Sequence, residues 1–151
     1  MNKKQYTIYL AGPISGLSYD DAVNVFVDRS IELRGMGYNV IHPMLGKEYL
    51  RNELKLKEHG YKNPQSTNHA IVQTDFWRVD RADILYVDLT LGKERTSIGT
   101  VAEMSRAFAK NKLVVTVLPK ENIHRHAFIL EMSSLIFETT EDAEDFLRTF
   151  I

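Results

Sequence analysis

The chain has 151 residues, of which 44% are hydrophobic and 26% charged, and its formal net charge is −1. This balance predicts one soluble globular domain over residues 1–151, with no overall field to draw nucleic acid or an anionic membrane. Cysteine is absent, so disulfides, thiolate metal sites and cysteine nucleophiles are excluded, and a reducing compartment suits the composition. No apolar run approaches the roughly 18–20 residues of a membrane span. Met1-Asn2-Lys3-Lys4-Gln5 leads straight into a short strand rather than a long apolar segment. No secretory leader is therefore expected, and the cytoplasm is the expected location.

Residues 6–11 are short, apolar and partly β-branched, and Gly12-Pro13 halts them, which predicts a buried first strand. Residues 20–34 have helical spacing, with Ala22, Val23, Phe26, Val27, Ile31 and Leu33 on the inner side and Gly35 and Gly37 as the stop. Residues 38–41 form a second strand that ends before Pro43. A polar, basic stretch follows at about 45–69, read as a short helix and then a long loop of the kind that is either a lid or disordered. A helix over 70–81 feeds a third strand over 83–89, and another helix runs from about Gly99 to Lys110. Residues 113–118 make a fourth strand closed by Pro119. Residues 125–132 make a short helix, 135–137 a weak fifth strand, and 140–150 a terminal helix capped by Thr140. Strands alternating with helices predict an α/β fold, a mostly parallel sheet with helices on both faces.

The most informative stretch is Ser97-Ile98-Gly99-Thr100-Val101-Ala102-Glu103, a small polar run that turns into a helix carrying a glutamate. In parallel α/β sheets ligands bind outside the carboxyl ends of the strands, where loops enter helix N-termini. The plain account of Glu103 is a glutamate favoured by the helix dipole. Its neighbours argue for more. Asp75, Asp83 and Asp88 flank the third strand, and the small-residue loops at Gly12-Pro13 and Ser97 to Thr100 would meet if strands one and three are adjacent. Two carboxylates in different surroundings can divide the work of nucleophile and proton donor. Asp83 opens its strand and so lies at the wrong end of the sheet. Asp88 either caps a loop or touches ligand. Asp75, next to Phe76 and Trp77, has solvent exposure on a helix as its plain account.

Tyr9-Leu10-Ala11-Gly12-Pro13, Asp75 eight residues before Asp83, and Gly99-Thr100-Val101-Ala102-Glu103 together resemble the nucleoside 2-deoxyribosyltransferase superfamily. That group also holds the deoxynucleoside 5′-monophosphate N-glycosidases and the CMP hydrolases. The likeness runs from Thr7 to about Phe137. It implies a flavodoxin-like five-stranded parallel sheet of order 2-1-3-4-5 and cleavage of an N-glycosidic bond with no metal or organic cofactor. On the matching positions it implies Glu103 as the nucleophile at C1′, Tyr9 as its orienter and Asp75 as the acid facing the base. Gly12, Pro13, Gly99 and Thr100 fall in the loops around substrate. The transferases have aspartate six residues before the nucleophile, where this chain has Ser97. The nucleotide hydrolases have serine there, facing the 5′-phosphate. A hydroxyl and free helix-terminal amides suit phosphate and a carboxylate does not. Arg95 and Lys93 add positive charge to the same loop, unless they are merely solvated. His126 stands where relatives supply a side chain from a neighbouring subunit, so a homo-oligomer is expected.

The expected activity is therefore cleavage of a 2′-deoxynucleoside or, preferentially, a nucleoside 5′-monophosphate, by hydrolysis or base exchange. A transferase acting on free nucleosides remains an alternative. A phosphoribohydrolase related to lysine-decarboxylase-like proteins is another, although its Pro-Gly-Gly is absent. A non-catalytic nucleotide sensor is a third. No Walker A loop, G-x-G-x-x-G fingerprint, metal-spaced cluster or G-x-S-x-G elbow is present.

Overall fold

The computed structural model describes residues 4–91 and 94–151, and Lys93 lies outside them. These residues form β1 (Thr7–Ala11), α1 (Tyr19–Gly35), β2 (Asn39–Ile41), α2 (Asn68–Arg81), β3 (Ile84–Asp88), α3 (Ile98–Ala109), β4 (Leu113–Val117), α4 (Ala127–Met132), β5 (Leu135–Phe137) and α5 (Thr140–Phe150). The sheet runs β2-β1-β3-β4-β5 with every pairing parallel. The flavodoxin-like α/β architecture is thus present as expected. The inner strands read as continuous apolar runs because helices cover both of their faces. Ile8, Leu10 and Tyr86 join the core under α1 and α5, whereas Tyr9, Leu85 and Val87 join the core under α2, α3 and α4.

Side-chain caps set most helix starts. Ser18 Oγ accepts from Asp21 N at 3.0 Å, Thr67 Oγ1 from Ala70 N at 3.2 Å, and Ser97 Oγ from Thr100 N at 3.4 Å. In α5 the cap is Thr139, whose Oγ1 accepts from Asp142 N at 3.2 Å. This corrects the expected Thr140, which already lies inside the helix. In α1 the buried line is Ala22, Phe26, Ser30 and Leu33. Val27 and Ile31, expected inside, are 40% and 65% exposed. Each lies one residue past that line, and about 100° of helical rotation turns it away from the sheet.

The long connection between β2 and α2 is packed rather than loose. It contains two 3₁₀ turns, Glu48–Leu50 and Pro64–Ser66. Leu50, Leu56 and Ser66 are buried, and the Tyr49 and Ser66 hydroxyls bond to each other. Backbone bonds tie the segment to the β1–α1 loop: Gly16 N to Leu56 O at 3.0 Å, Leu56 N to Leu17 O at 2.7 Å, and Tyr19 N to Glu53 O at 2.9 Å.

Candidate active site

Chain order reverses at β1, which sits between β2 and β3, so the loops leaving β1 and β3 part toward opposite faces and leave a crevice at the carboxyl edge. Gly12 lies there because the two strand ends come very close. A Cβ on it would stand 2.8 Å from the Asp88 carbonyl oxygen. Pro13 follows at the same edge. Asp88 Oδ1 accepts from Thr90 N at 2.9 Å and Thr90 Oγ1 at 2.5 Å, so this carboxylate caps its own loop. Asp83 is structural, accepting from Thr7 N at 2.9 Å and Lys4 Nζ at 3.1 Å.

Tyr9, Asp75 and Glu103 come together on the face covered by α2 and α3. Tyr9 is central in β1, paired with Ile41 and Leu85, and fully buried. Glu103 is only 8% exposed. It is the sixth residue of α3, in the second turn rather than the first, and the dipole's benefit fades beyond the first turn. The plain account of Glu103 is weakened accordingly. Asp75 is not solvated on the outside of α2; its side chain is 15% exposed. The Tyr9 hydroxyl faces the Glu103 carboxylate closely enough to favour its ionised form. Even so, Tyr9 Oη and Glu103 Oε2 complete no well-directed hydrogen bond among the described residues.

Electrostatics make this an unusual pair. Burial, and then the Asp75 charge, push the Glu103 carboxyl up to about 8. Burial also raises Asp75, against the pull of Lys47 and Arg78. The Tyr9 phenol rises well above its ordinary value through burial and the two carboxylates.

Two cations that the sequence did not single out as site residues complete the cluster. Arg78 Nη1 meets Asp75 Oδ1 at 3.4 Å and Pro43 O at 3.5 Å, and Nη2 donates to Leu45 O at 2.9 Å. It thereby pins the segment that follows β2 against α2. That segment carries Lys47, whose ammonium is lowered by burial and partly restored by Asp75 and Glu103. The available signal was the i, i+3 spacing of Asp75 and Arg78. His42 belongs to the support: it stacks on Phe26 at 5.1 Å, accepts from Met44 N at 3.2 Å, and burial with nearby cations pushes it down to about 4. Below the site, Arg106 clamps α3 to α2 with two 2.8 Å bonds to Asp80.

Outside this centre, the other residues near the loops have these settings. Gly99 and Thr100 are in the first turn of α3, Gly99 exposed and Thr100 buried. Ser97 Oγ also contacts Thr100 Oγ1 at 2.9 Å, and Ser97 N is not free, since it donates to His124 Nε2 at 3.0 Å. Arg95 is exposed and pairs with Glu58 at 3.0 Å. His126 is exposed and caps α4 through Phe128 N at 3.3 Å. Tyr49 and Tyr61 brace the long segment, Tyr61 Oη accepting from Lys57 N at 2.7 Å, and Trp77 is 55% exposed under Arg81. An open groove at the carboxyl edge, lined by Val25, Arg29, Asp88, Thr90 and Thr139, lies on the α1/α5 side, and none of the three site residues lines it. Among the described residues no three His, Asp or Glu side chains converge to hold a metal ion. No helix there is long and apolar enough to cross a membrane.

The profile of the family described as nucleoside 2-deoxyribosyltransferase matches residues 8–142. The chain belongs to that family. The matched span takes in all of β1 but its first residue, both site helices and the start of α5. No curated protein matches the chain by sequence. Among solved structures, a conserved protein from Enterococcus faecalis V583 is similar with a TM-score of 0.65 at 16% identity, covering 98% of this chain and 100% of that one. The Clostridium botulinum CMP N-glycosidase BcmB is similar with a TM-score of 0.60 at 14% identity, covering 96% of this chain and 99% of that one. At such identities these two share the fold with this family member.

Proposed function

We propose that the protein cleaves the N-glycosidic bond of nucleoside 5′-monophosphates, with Glu103 as nucleophile, Asp75 as the acid beside the base and Tyr9 as orienter of Glu103. The observation that carries this reading is the convergence of Tyr9, Asp75 and Glu103 from three elements into one buried cluster. Cleavage at C1′ needs an anion against the cationic sugar carbon and a proton for the departing base. A glutamate pushed up to about 8 rests in the protonated form at neutral pH. As positive charge grows on the sugar beside it, its carboxylate form becomes favoured, and the pair's proton is available on the Asp75 side for the base. Lys47 and Arg78 assist by favouring the ionised state of Glu103, the form that attacks, while burial raises Asp75 against their pull and so favours its proton-holding form.

The phosphate preference rests on Ser97 and the first turn of α3. The amides of Ile98 and Gly99 have no hydrogen-bond partner among the described residues, and together with the Ser97 hydroxyl they suit an anion. Water as acceptor gives hydrolysis and a second base gives transfer. Completion of the site by a second copy is supported by exposed His126 at the head of α4, with Phe128 67% and Ile98 82% exposed nearby in the same helix pair.

The test is chromatographic measurement of free base released from matched nucleosides and 5′-monophosphates, with and without a second base. Monophosphates are expected to lead in kcat/KM by about tenfold or more, and Ser97→Asp to erase that lead. An unchanged ratio in Ser97→Asp would leave the phosphate reading without support, because aspartate also caps helices.

A further inference from the structure

His124 is completely buried, although it is flanked by exposed Ile123 and Arg125. Every polar atom of its ring has a partner. Nδ1 lies 2.9 Å from Asn122 Oδ1, an oxygen that can only accept, so Nδ1 carries the proton. That leaves Nε2 bare, and it accepts from Ser97 N at 3.0 Å. Asn122 is equally engaged. Its Oδ1 also accepts from His124 N at 2.9 Å, and its Nδ2 donates to Leu89 O at 2.7 Å. Leu89 is the residue just past β3, and Ser97 is the cap of α3. Two side chains of the β4–α4 connection therefore grip both ends of the β3–α3 connection at once.

We propose that His124, held in one tautomer by Asn122, is a positioning residue that sets the Ser97 turn and with it the mouth of the substrate site. The inference rests on the reading of Ser97 as a phosphate contact only for its kinetic consequence; the grip itself stands on geometry. A main-chain amide tied to an imidazole cannot rotate, so the direction of the following amides and of the Ser97 hydroxyl is fixed before substrate arrives. Preorganised donors spare the ordering cost that a loose turn would incur on binding. Burial holds the ring in the neutral form that this role requires. Its ring partners are Ser97 and Asn122, so its reach to the site runs through Ser97.

The experiment uses the full chain and three variants. His124→Leu fills the space without an acceptor, His124→Gln restores an acceptor, and Asn122→Ala releases the other half of the grip. Amide hydrogen exchange followed by NMR reads Ser97 N–H directly. It is expected to speed up about tenfold or more in His124→Leu and Asn122→Ala and to stay close to wild type in His124→Gln. In parallel, KM for the 5′-monophosphate is expected to rise about tenfold in His124→Leu, while kcat and the KM of the matching nucleoside stay nearly constant. Unchanged exchange at Ser97 overturns the proposal, as does an equal loss on both substrates, which signals general loosening. Should His124→Leu fail to fold, Asn122→Ala decides the matter with the imidazole still in place. A wild type that shows no phosphate preference would defeat the functional reading, whereas the exchange result would still decide the grip.

Discussion

Replacing Glu103 by glutamine is expected to abolish turnover and at the same time stabilise the protein, increasingly so as pH rises. The folded carboxyl titrates near 8 against 4.5 for a free glutamate, chiefly because it is buried. Below about pH 4.5 both folded and unfolded chains hold the proton and the residue costs nothing. Between 4.5 and about 8 only the folded chain keeps it, so stability falls with rising pH, and above about 8 the full penalty applies. Each tenfold step is about 1.4 kcal/mol, so the interval from 4.5 to 8 amounts to about 5 kcal/mol as an upper value. The Lys47 and Arg78 charges already hold it below what burial alone would impose. Glutamine never ionises. Recovering half of the penalty would raise the melting midpoint by about 5–10 °C at pH 9 for a domain of this size, with almost no change at pH 4. Thermal melts by circular dichroism at pH 4, 7 and 9, beside a base-release assay, measure both effects. A glutamine variant no more stable than wild type at pH 9 would refute the burial argument. One that keeps more than a tenth of the activity would refute the nucleophile.

Asp75→Asn should lower kcat by about 10²–10⁴-fold, the usual worth of a placed acid, and substrates with exceptionally good leaving groups should be spared; equal damage on both would rule Asp75 out as the proton donor. Arg78→Met removes a cation that favours ionised Glu103, so the acidic limb of the kcat/KM profile should move to higher pH, whereas Arg78→Lys should hold it nearer wild type. A limb that stays put in Arg78→Met would show that this charge does not reach the site. Gly12→Ala forces a methyl against the Asp88 carbonyl oxygen, 2.8 Å away, and should cost about 1–3 kcal/mol in denaturant unfolding. No loss would mean that the strand ends separate freely.

Most element bounds and the parallel sheet were readable from apolar runs bounded by Gly and Pro, because strands buried on both faces read as continuous apolar stretches; the strand order came only from the family resemblance. Glu103 stood out in the small polar run that opens its helix, whereas Tyr9 and Asp75 entered only through the family resemblance. Lys47, Arg78 and His124 were not readable. Lys47 lies in a basic stretch that looks solvated, and it takes the Arg78 bonds to Pro43 O and Leu45 O, with the backbone bonds to the 16–19 loop, to reveal that the stretch turns inward. His124 sits between exposed neighbours, and its burial depends on a contact 27 residues away along the chain. Val27 and Ile31 were placed on the inner stripe of α1 with the other apolar residues, but they stand about 100° off the buried line and are exposed. Sequence pattern reports periodicity well and reports long-range polar contacts hardly at all.

The segment between β2 and α2 behaves as a wall and not as a door. Swinging it aside would break three backbone bonds to the 16–19 loop, release the Arg78 grip and wet Leu50 and Leu56. The two leucines alone amount to roughly 1.5–3 kcal/mol each. Under the proposed function, discrimination between bases would then come from fit rather than from motion, and broadening the range of accepted substrates would require rebuilding the wall, not loosening it.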